Sequence, residues 1–204
     1  MEEALNNGWI PVFAFAGQNA LERPQTSDLL ARMKESKFTW LGANVVDTKT
    51  GRIFADTPPY VIREIGGIRI GIIGLLLPET KQTSSMEESL AVTDYCAVAE
   101  KRVNEMRSKK KADAVIGLTH LSMADDKKLA GCADFDLILG GHEHSLLQSS
   151  SFGTPIFKMT ADAREMGKFT LNFNAATRQL IEARAERPSH FRMDPRLVQK
   201  IEEL

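Results

Sequence analysis

Three histidines follow short apolar runs, and their spacing suits a metal site. His120 follows the run at 114–118, and His142 and His144 follow the run at 135–139 and two glycines. Neutral imidazole is a good ligand for divalent transition metals. A single histidine is most simply a structural or surface side chain. Three at the ends of successive apolar runs favour a metal site, because functional residues gather in the loops at strand ends.

The two apolar runs before these histidines predict neighbouring strands. Four to eight apolar residues bounded by a turn signal indicate a buried strand, and the segment 122–130 between the runs predicts a short helix. Consecutive strands of such a βαβ unit are usually neighbours, so we expect the three imidazoles to converge. Gly140 and Gly141 would let the backbone turn tightly at this point and approach a ligand closely.

The rest of the chain alternates between strand and helix patterns. Further strands are predicted at 38–46, 60–65, 68–76, 155–159, 169–173 and 180–184. Helices are predicted from Thr26 or Ser27 to near Lys37, and at 94–109 and 194–204, and the polar segment 79–88 predicts a loop. Strands that alternate with helices imply a parallel sheet, and the flanking hairpins make the expected fold a mixed α/β sandwich.

Composition excludes several classes of protein. The formal net charge of the 204 residues is −1, which argues against a nucleic-acid partner. No stretch approaches the ~20 apolar residues of a membrane-spanning helix. Cys96 and Cys132 are too few for a disulfide framework, and we expect two buried thiols, since free cysteine packs as a small hydrophobic side chain.

The apolar segment 9–17 resembles the core of a secretory signal peptide only in hydrophobicity. Glu2 and Glu3 precede it, no basic residue does, and Pro11 interrupts it, whereas a signal peptide carries a basic flank before its apolar core. We expect a core strand here, or a segment of uncertain origin. With no signal peptide visible, the sequence leaves the localisation open.

The residues around the histidines match a known pattern. Thr119-His120, followed by Gly140-Gly141-His142-Glu143-His144, resembles the last two motifs of the calcineurin-like metallophosphoesterases, with the 5'-nucleotidase branch as the best fit. The resemblance runs from about Thr26 to the C-terminus. It is supported by the stretches 41–45, 67–75, 113–120, 136–144, 153–157 and 161–167.

This resemblance implies a fold and a chemistry. The family has a four-layer α/β/β/α sandwich with mixed sheets, in which two divalent metals (Mn, Zn, Mg, Fe or Co) activate a water and neutralise charge on a phosphate. By resemblance, His120 and His142 would bind one metal and His144 the other. The implied substrate is a phosphate ester or a nucleotide, the implied role is nucleotide catabolism, and relatives of this kind are often periplasmic or extracellular.

The chain departs from the family pattern before residue 38. It contains neither the Asp-x-His motif nor the Gly-Asp-x-x-Asp motif, whose last Asp bridges the metals in the family. The Gly-Asn-His motif should fall at 17–19 or one residue later. In the first register Asn19 replaces the catalytic histidine, and in the second Asn19 could ligate a metal while Ala20 replaces the histidine. The candidate metal ligands are therefore His120, His142, His144 and Asn19, and no catalytic residue is assigned.

The missing motifs limit the number of metals that we expect. Without a bridging carboxylate, nothing anionic offsets the repulsion between two cations a few ångströms apart. We therefore predict at most one weakly held metal, with His120 and His142 as its ligands and His144 without a partner ion. Glu143 or Asp125 could offer a further oxygen.

The resemblance divides the chain into three parts and leaves three functions open. The parts are an atypical N-terminal segment (1–24), the C-terminal portion of a metallophosphoesterase-like domain (25–186), and a linker with a terminal helix (187–204). The family's C-terminal nucleotide-binding domain is missing, so base selectivity is not expected from this chain. The functions are a metal-dependent phosphoester hydrolase of 5'-nucleotidase type, weak or inactive as this truncated chain; a catalytically dead binding or interaction domain; and a fragment that self-associates through an exposed truncated sheet.

Overall fold

A computed structural model describes residues 26–83, 86–109, 111–161 and 167–186. In chain order the elements are α1 (Thr26–Glu35), β1 (Val45–Asp47), a 3-10 turn (Phe54–Asp56), β2 (Val61–Ile65), β3 (Ile68–Leu76), α2 (Thr80–Thr83), β4 (Leu90–Val92), α3 (Tyr95–Ser108), β5 (Ala114–His120), α4 (Met123–Cys132), β6 (Leu137–Gly140), β7 (Leu147–Ser151), β8 (Thr154–Lys158), β9 (Lys168–Phe173) and β10 (Leu180–Glu186).

A six-stranded mixed sheet forms the centre of the fold, with the strand order β2-β3-β5-β6-β8-β7. The inner strands β3, β5, β6 and β8 run parallel, whereas β2 and β7 are antiparallel strands at the two edges. Inner strands of this kind are covered on both faces, which explains their nearly continuous apolar sequences. The predicted α/β class with a mixed central sheet is confirmed.

The two faces of the sheet carry different layers. Helices α3 and α4 cover one face, where Val115 and Ile138 are fully buried. The β9–β10 hairpin covers the other face, where Ile116 and Leu137 pack beneath Phe169. Because successive residues of a strand point to opposite faces, neighbouring residues such as Val115 and Ile116 enter different cores. Each fully buried aliphatic side chain contributes about 1.5–3 kcal/mol.

Asn44 fixes the chain entering β1 to the end of β3. Its side chain is fully buried, donates from Nδ2 to the carbonyl oxygens of Leu76 and Thr93, and accepts the N–H of Leu76 at 2.9 Å. A buried amide needs such partners, because an unpaired polar group in the interior costs about 1–3 kcal/mol. The side chain thereby joins β3 and the segment after β4.

Two of the predicted elements differ from those observed, and two observed strands were not predicted. In the region of the strand predicted at 38–46, the observed strand is only Val45–Asp47. The chain before it is held by the Asn44 side chain and by the hydrogen bond from the Ala43 N–H to the Gly74 carbonyl oxygen, and not by a continuous ladder of strand hydrogen bonds. The loop predicted at 79–88 contains the short helix α2. Strands β4 and β7 were not predicted, and the serines of β7 lack an apolar pattern because this strand lies at the sheet edge.

The expectation of two free thiols is wrong. Cys96 and Cys132 are joined in a disulfide that connects α3 to α4, with 5.4 Å between their Cα atoms, a distance typical of such bonds. Sequence spacing did not reveal the pair because the two cysteines lie 36 positions apart in the chain. Helix packing brings them together.

Several predictions concern residues outside the described ranges. They are the segment 1–24 with the strand at 9–17, the candidate ligand Asn19, and the linker and helix at 187–204. These, and the domain boundaries derived from them, stay predictions. Among the helices that the structure describes, none is both long and apolar enough to cross a membrane.

Candidate functional site

The parallel strands β5 and β6 deliver the histidines to one end of the sheet. Thr119 pairs with Gly140 at the end of this ladder, and the Gly141 N–H donates to the Thr119 carbonyl oxygen at 2.9 Å. The rings of His120 and His142 lie edge to face, with 5.4 Å between their centroids and 82° between their planes. The structure therefore brings these two predicted residues together.

The separation of these two rings suits one shared metal ion. Two imidazoles bound to a tetrahedral ion at about 2.1 Å per nitrogen place their ring centroids roughly 5 Å apart. Within the described ranges, however, no group of three or more His, Cys, Asp and Glu side chains is arranged to hold a metal. Metal binding by His120, His142, His144 and Asn19 therefore stays a prediction.

The electrostatic surroundings lower the pKa of His120. Desolvation is the largest cause, followed by Coulombic interactions with His142, Lys158 and His144, while Glu143 acts in the opposite direction. The residue as a whole is exposed, yet its imidazole stands close enough to the protein to lose hydration. A lowered pKa favours the neutral imidazole, the form that binds metals.

The turn that carries the other two histidines has an unusual backbone. His142 and His144 have φ angles of 88° and 56°, in a region that residues other than glycine seldom adopt. Such conformations cost about 1–3 kcal/mol each and persist only where the surroundings impose them. The strain therefore lies at the candidate site itself.

The two glycines before His142 do not have the conformational role expected of them. Neither Gly140 nor Gly141 is among the residues with positive φ. Gly140 is required for space, because a Cβ atom there would lie 2.8 Å from Asp126 Oδ2 and 3.0 Å from Thr119 Oγ1. The close neighbour is thus a buried carboxylate and not a ligand.

Lys158 is a residue of the site that the sequence pattern did not predict. It is 1% exposed, and its Nζ atom donates to the carbonyl oxygens of Leu121 and Gly141 and to Glu143 Oε2. The same atom lies 2.8 Å from Asp126 Oδ2. That contact is an ion pair and not an aligned hydrogen bond, since Oδ2 receives no hydrogen bond of good geometry. In the sequence, Lys158 is visible only as a lysine at the end of an apolar strand. A lysine at such a position is ordinarily interpreted as a surface residue.

The two carboxylates considered as further metal ligands are engaged elsewhere. Glu143 accepts from Lys158 and from the Met123 N–H. Asp125 accepts from the hydroxyls of Tyr95 and Ser122. Burial acts to raise the pKa of Glu143, but the bonds from Lys158 and Met123 outweigh it and hold the pKa below its usual value. Glu143 therefore braces the turn, whereas Asp125 joins the start of α4 to α3.

Asp126 is a fully buried carboxyl group of the site. Burial raises its pKa, and the contacts with Lys158 and Thr119 oppose this shift. The Thr119 hydroxyl donates to Oδ1 at 2.7 Å. The carboxylate therefore connects the end of β5 with α4 and β8.

Comparison with known proteins supports the family that the motifs indicated. No family model matches the chain. The trifunctional nucleotide phosphoesterase protein YfkN of Bacillus subtilis (strain 168) is 30% identical over 113 residues, which are 54% of this chain and 8% of that protein. The 5'-nucleotidase precursor from Thermus thermophilus superposes with a TM-score of 0.67 at 26% identity, over 78% of this chain and 35% of that one.

A further solved structure shows how widely the fold is shared. The sulfate thiohydrolase SoxB from Thermus thermophilus superposes with a TM-score of 0.73 at 23% identity, over 87% of this chain and 32% of that one. At this identity the likeness concerns the fold alone. The match spans about a third or less of each of these three proteins.

The chain folds as a mixed α/β domain that is similar to a solved 5'-nucleotidase structure, with His120 and His142 at the ends of neighbouring parallel strands. The sequence relatives and structural neighbours are members of the 5'-nucleotidase and metallophosphoesterase family, at modest identity over about half of the chain or more. The resemblance predicted from the histidine motifs is confirmed.

Proposed function

We propose that this domain contributes to a metal-dependent phosphoester hydrolase site of 5'-nucleotidase type. The observation that carries the proposal is the approach of His120 and His142, whose ring centroids are 5.4 Å apart at the ends of neighbouring strands. Relatives described as a nucleotide phosphoesterase and a 5'-nucleotidase support a nucleotide as the class of substrate.

The residues of this chain would prepare the site in two ways. His120 offers a neutral imidazole because its pKa is lowered, and the bond from the Gly141 N–H to Thr119 holds the chain before His142 against β5. A divalent metal bound by the two imidazoles would polarise a phosphoryl oxygen and lower the pKa of a bound water. His144 has no assigned metal partner in this proposal.

Hydrolysis by this chain alone is proposed to be weak or absent. The 204 residues contain no Asp-x-His, Gly-Asp-x-x-Asp or Gly-Asn-His motif, so the bridging carboxylate and the catalytic histidine of the family are not supplied. Loss of even outer-shell partners of a metal site typically costs about 10–100-fold in affinity or activity. We therefore propose one weakly bound metal.

Metal binding is the direct test of the proposed site. Co²⁺ titrations followed by visible absorption and by calorimetry would compare the wild type with His142→Ala, His144→Ala and the control His190→Ala. We expect His142→Ala to weaken binding at least about 10-fold, and His144→Ala and His190→Ala to have little effect. Absence of binding in the wild type, or equal binding by His142→Ala, would contradict the proposed site.

Hydrolysis assays separate an enzyme from an inactive binding domain. AMP and p-nitrophenyl phosphate would be incubated with the chain and Mn²⁺, Zn²⁺ or Co²⁺, beside His142→Ala. Turnover that disappears in His142→Ala would identify a hydrolase. No turnover, together with no thermal shift on addition of metal, would rule out the hydrolase and favour the alternative of a catalytically dead binding domain.

A further inference from the structure

Lys158 connects the two loops that carry the histidines. Its Nζ atom donates to the carbonyl oxygen of Leu121, the residue after His120, and to that of Gly141, the residue before His142. One ammonium group therefore bridges two backbone positions, each adjacent to a candidate ligand. The bridge acts on the spacing between the two strand ends.

The carboxylate partners of Lys158 extend this connection to the rest of the turn. Glu143 lies between His142 and His144, receives a hydrogen bond from Lys158 at 2.6 Å, and also accepts the N–H of Met123 at the start of α4. Asp126, on the same helix, pairs with the buried ammonium. The strained segment is thus held from β8 on one side and from α4 on the other.

The chemistry of the ammonium group explains the choice of lysine. A lysine offers three donors that rotate to suit their acceptors, and here they face two carbonyl oxygens and a carboxylate, with a second carboxylate alongside. Gly140 provides room, since a Cβ atom there would lie 3.1 Å from Lys158 Cε. An apolar side chain at 158 would leave these oxygens without a donor.

We propose that Lys158 is a positioning residue, which holds the turn from Gly141 to His144 so that His142 stays beside His120. Positive φ angles at His142 and His144 need such restraint. An effect of Lys158 on metal affinity rests on the proposed function. The restraint of the turn by Lys158 does not, because it concerns the metal-free chain.

The test compares a buried lysine with an accessible one. Lys158→Met removes the donor, and Lys158→Met combined with Asp126→Asn removes both buried charges so that no carboxylate is left unpaired. Lys111→Met is the control, because Lys111 also donates to a carboxylate (Glu105), and to the Tyr60 hydroxyl, but is partly exposed and precedes the opposite end of β5. The first readout is taken by NMR on the metal-free proteins. It consists of the hydrogen-exchange rate of the Gly141 amide and the chemical shifts of the histidine rings.

We expect Gly141 exchange to become at least about 10-fold faster in the double variant, and the ring signals of His142 and His144 to shift, while Lys111→Met leaves both unchanged. A folded double variant with wild-type exchange and ring signals would overturn the proposal. A double variant that does not fold would also overturn it, because Lys158 would then be a determinant of the whole fold.

Co²⁺ affinity provides the second readout and separates this proposal from the function. If the wild type binds no Co²⁺ but the double variant still exchanges the Gly141 amide faster than the wild type, the positioning role is supported and the metal site is contradicted. If the wild type binds Co²⁺, we expect at least about a 10-fold loss of affinity in the double variant, in line with the loss of an outer-shell partner. Equal affinity in the two proteins would overturn the positioning role alone.

Discussion

The Nζ atom of Lys158 lies 2.8 Å from Oδ2 of Asp126, and the two side chains are 1% and 0% exposed. Removing two such charges from water costs several kcal/mol per ion, so a buried ion pair adds little to the free energy of unfolding compared with apolar residues of the same shape. Removal of one partner alone is different, because it leaves an uncompensated charge in the interior. This asymmetry makes the pair sensitive to single substitutions.

Asp126→Ala should destabilise the protein by about 1–3 kcal/mol, because Thr119 loses its acceptor and Lys158 keeps Glu143 as its carboxylate partner but loses the fully buried one. Asp134→Ala is the matched control. Asp134 pairs with Arg107 but is 80% exposed, so its loss should cost less than about 1 kcal/mol. Urea unfolding monitored by circular dichroism measures both. Similar losses for the two variants would contradict burial as the deciding factor.

The adjacent glycines of the turn offer a second comparison. Gly140→Ala would bring a Cβ atom within 2.8 Å of Asp126 Oδ2, whereas the nearest atom to a Cβ at Gly141 is His120 Nδ1, at an ordinary 3.5 Å. We expect a loss of about 1–3 kcal/mol for Gly140→Ala, as for other overpacked sites, and less than about 0.5 kcal/mol for Gly141→Ala. Thermal unfolding of the two variants measures both losses. A larger loss of stability for Gly141→Ala than for Gly140→Ala would show that the space around Gly140 is not limiting.

The sequence predicts those parts of the fold in which a local pattern and the final environment agree. β3 has the predicted bounds, 68–76, because a nearly continuous apolar run is flanked by Gly66-Gly67 and Pro78 and lies within the sheet. The strand ends bearing His120 and His142 were found for the same reason. β7 was missed because it is an edge strand with alternating burial, whose serines resemble a loop.

The buried charges could not be predicted in this way. Lys158 and Asp126 are 32 residues apart in the chain, and each is of a type that is almost always exposed unless paired. Their pairing arises only when β8 and α4 pack together. The strained φ angles at His142 and His144 were missed because the neighbouring glycines appeared to account for the turn. Residues that depend on a distant partner are those that composition and spacing describe least well.

The ion pair of Asp113 with Arg69 should make stability depend on pH. Hydrogen bonds from the Arg69 side chain lower the pKa of Asp113 to about 2 from an ordinary value of 3.8, although burial opposes the shift. A carboxyl whose pKa is lowered by folding stabilises the protein above its unfolded pKa, and the contribution disappears as the pH falls from about 4 to 2.

Asp113→Asn should remove this contribution. At neutral pH the variant is expected to be less stable than the wild type by about 1–2 kcal/mol, a value reduced by the partial exposure of Arg69. The difference should shrink towards pH 2, because the wild-type carboxyl becomes protonated. Urea unfolding between about pH 2 and 7 measures the difference directly. A difference that does not vary with pH would contradict the lowered pKa.

The disulfide between Cys96 and Cys132 should contribute measurably to stability. It closes a loop across a sequence separation of 36 residues and joins α3 to α4. In the loop-entropy model, a cross-link of this length lowers the entropy of the unfolded chain and thereby stabilises the protein by about 3–4 kcal/mol.

We expect the double variant Cys96→Ser with Cys132→Ser to unfold at a lower urea concentration than the oxidised wild type. Dithiothreitol should shift the wild type to the same midpoint and leave the double variant unchanged. If the reductant shifts both proteins equally, the effect does not arise from this bond. If it shifts neither, the bond is either absent or energetically neutral, and α4 with its Asp126 would then be held in place by packing alone.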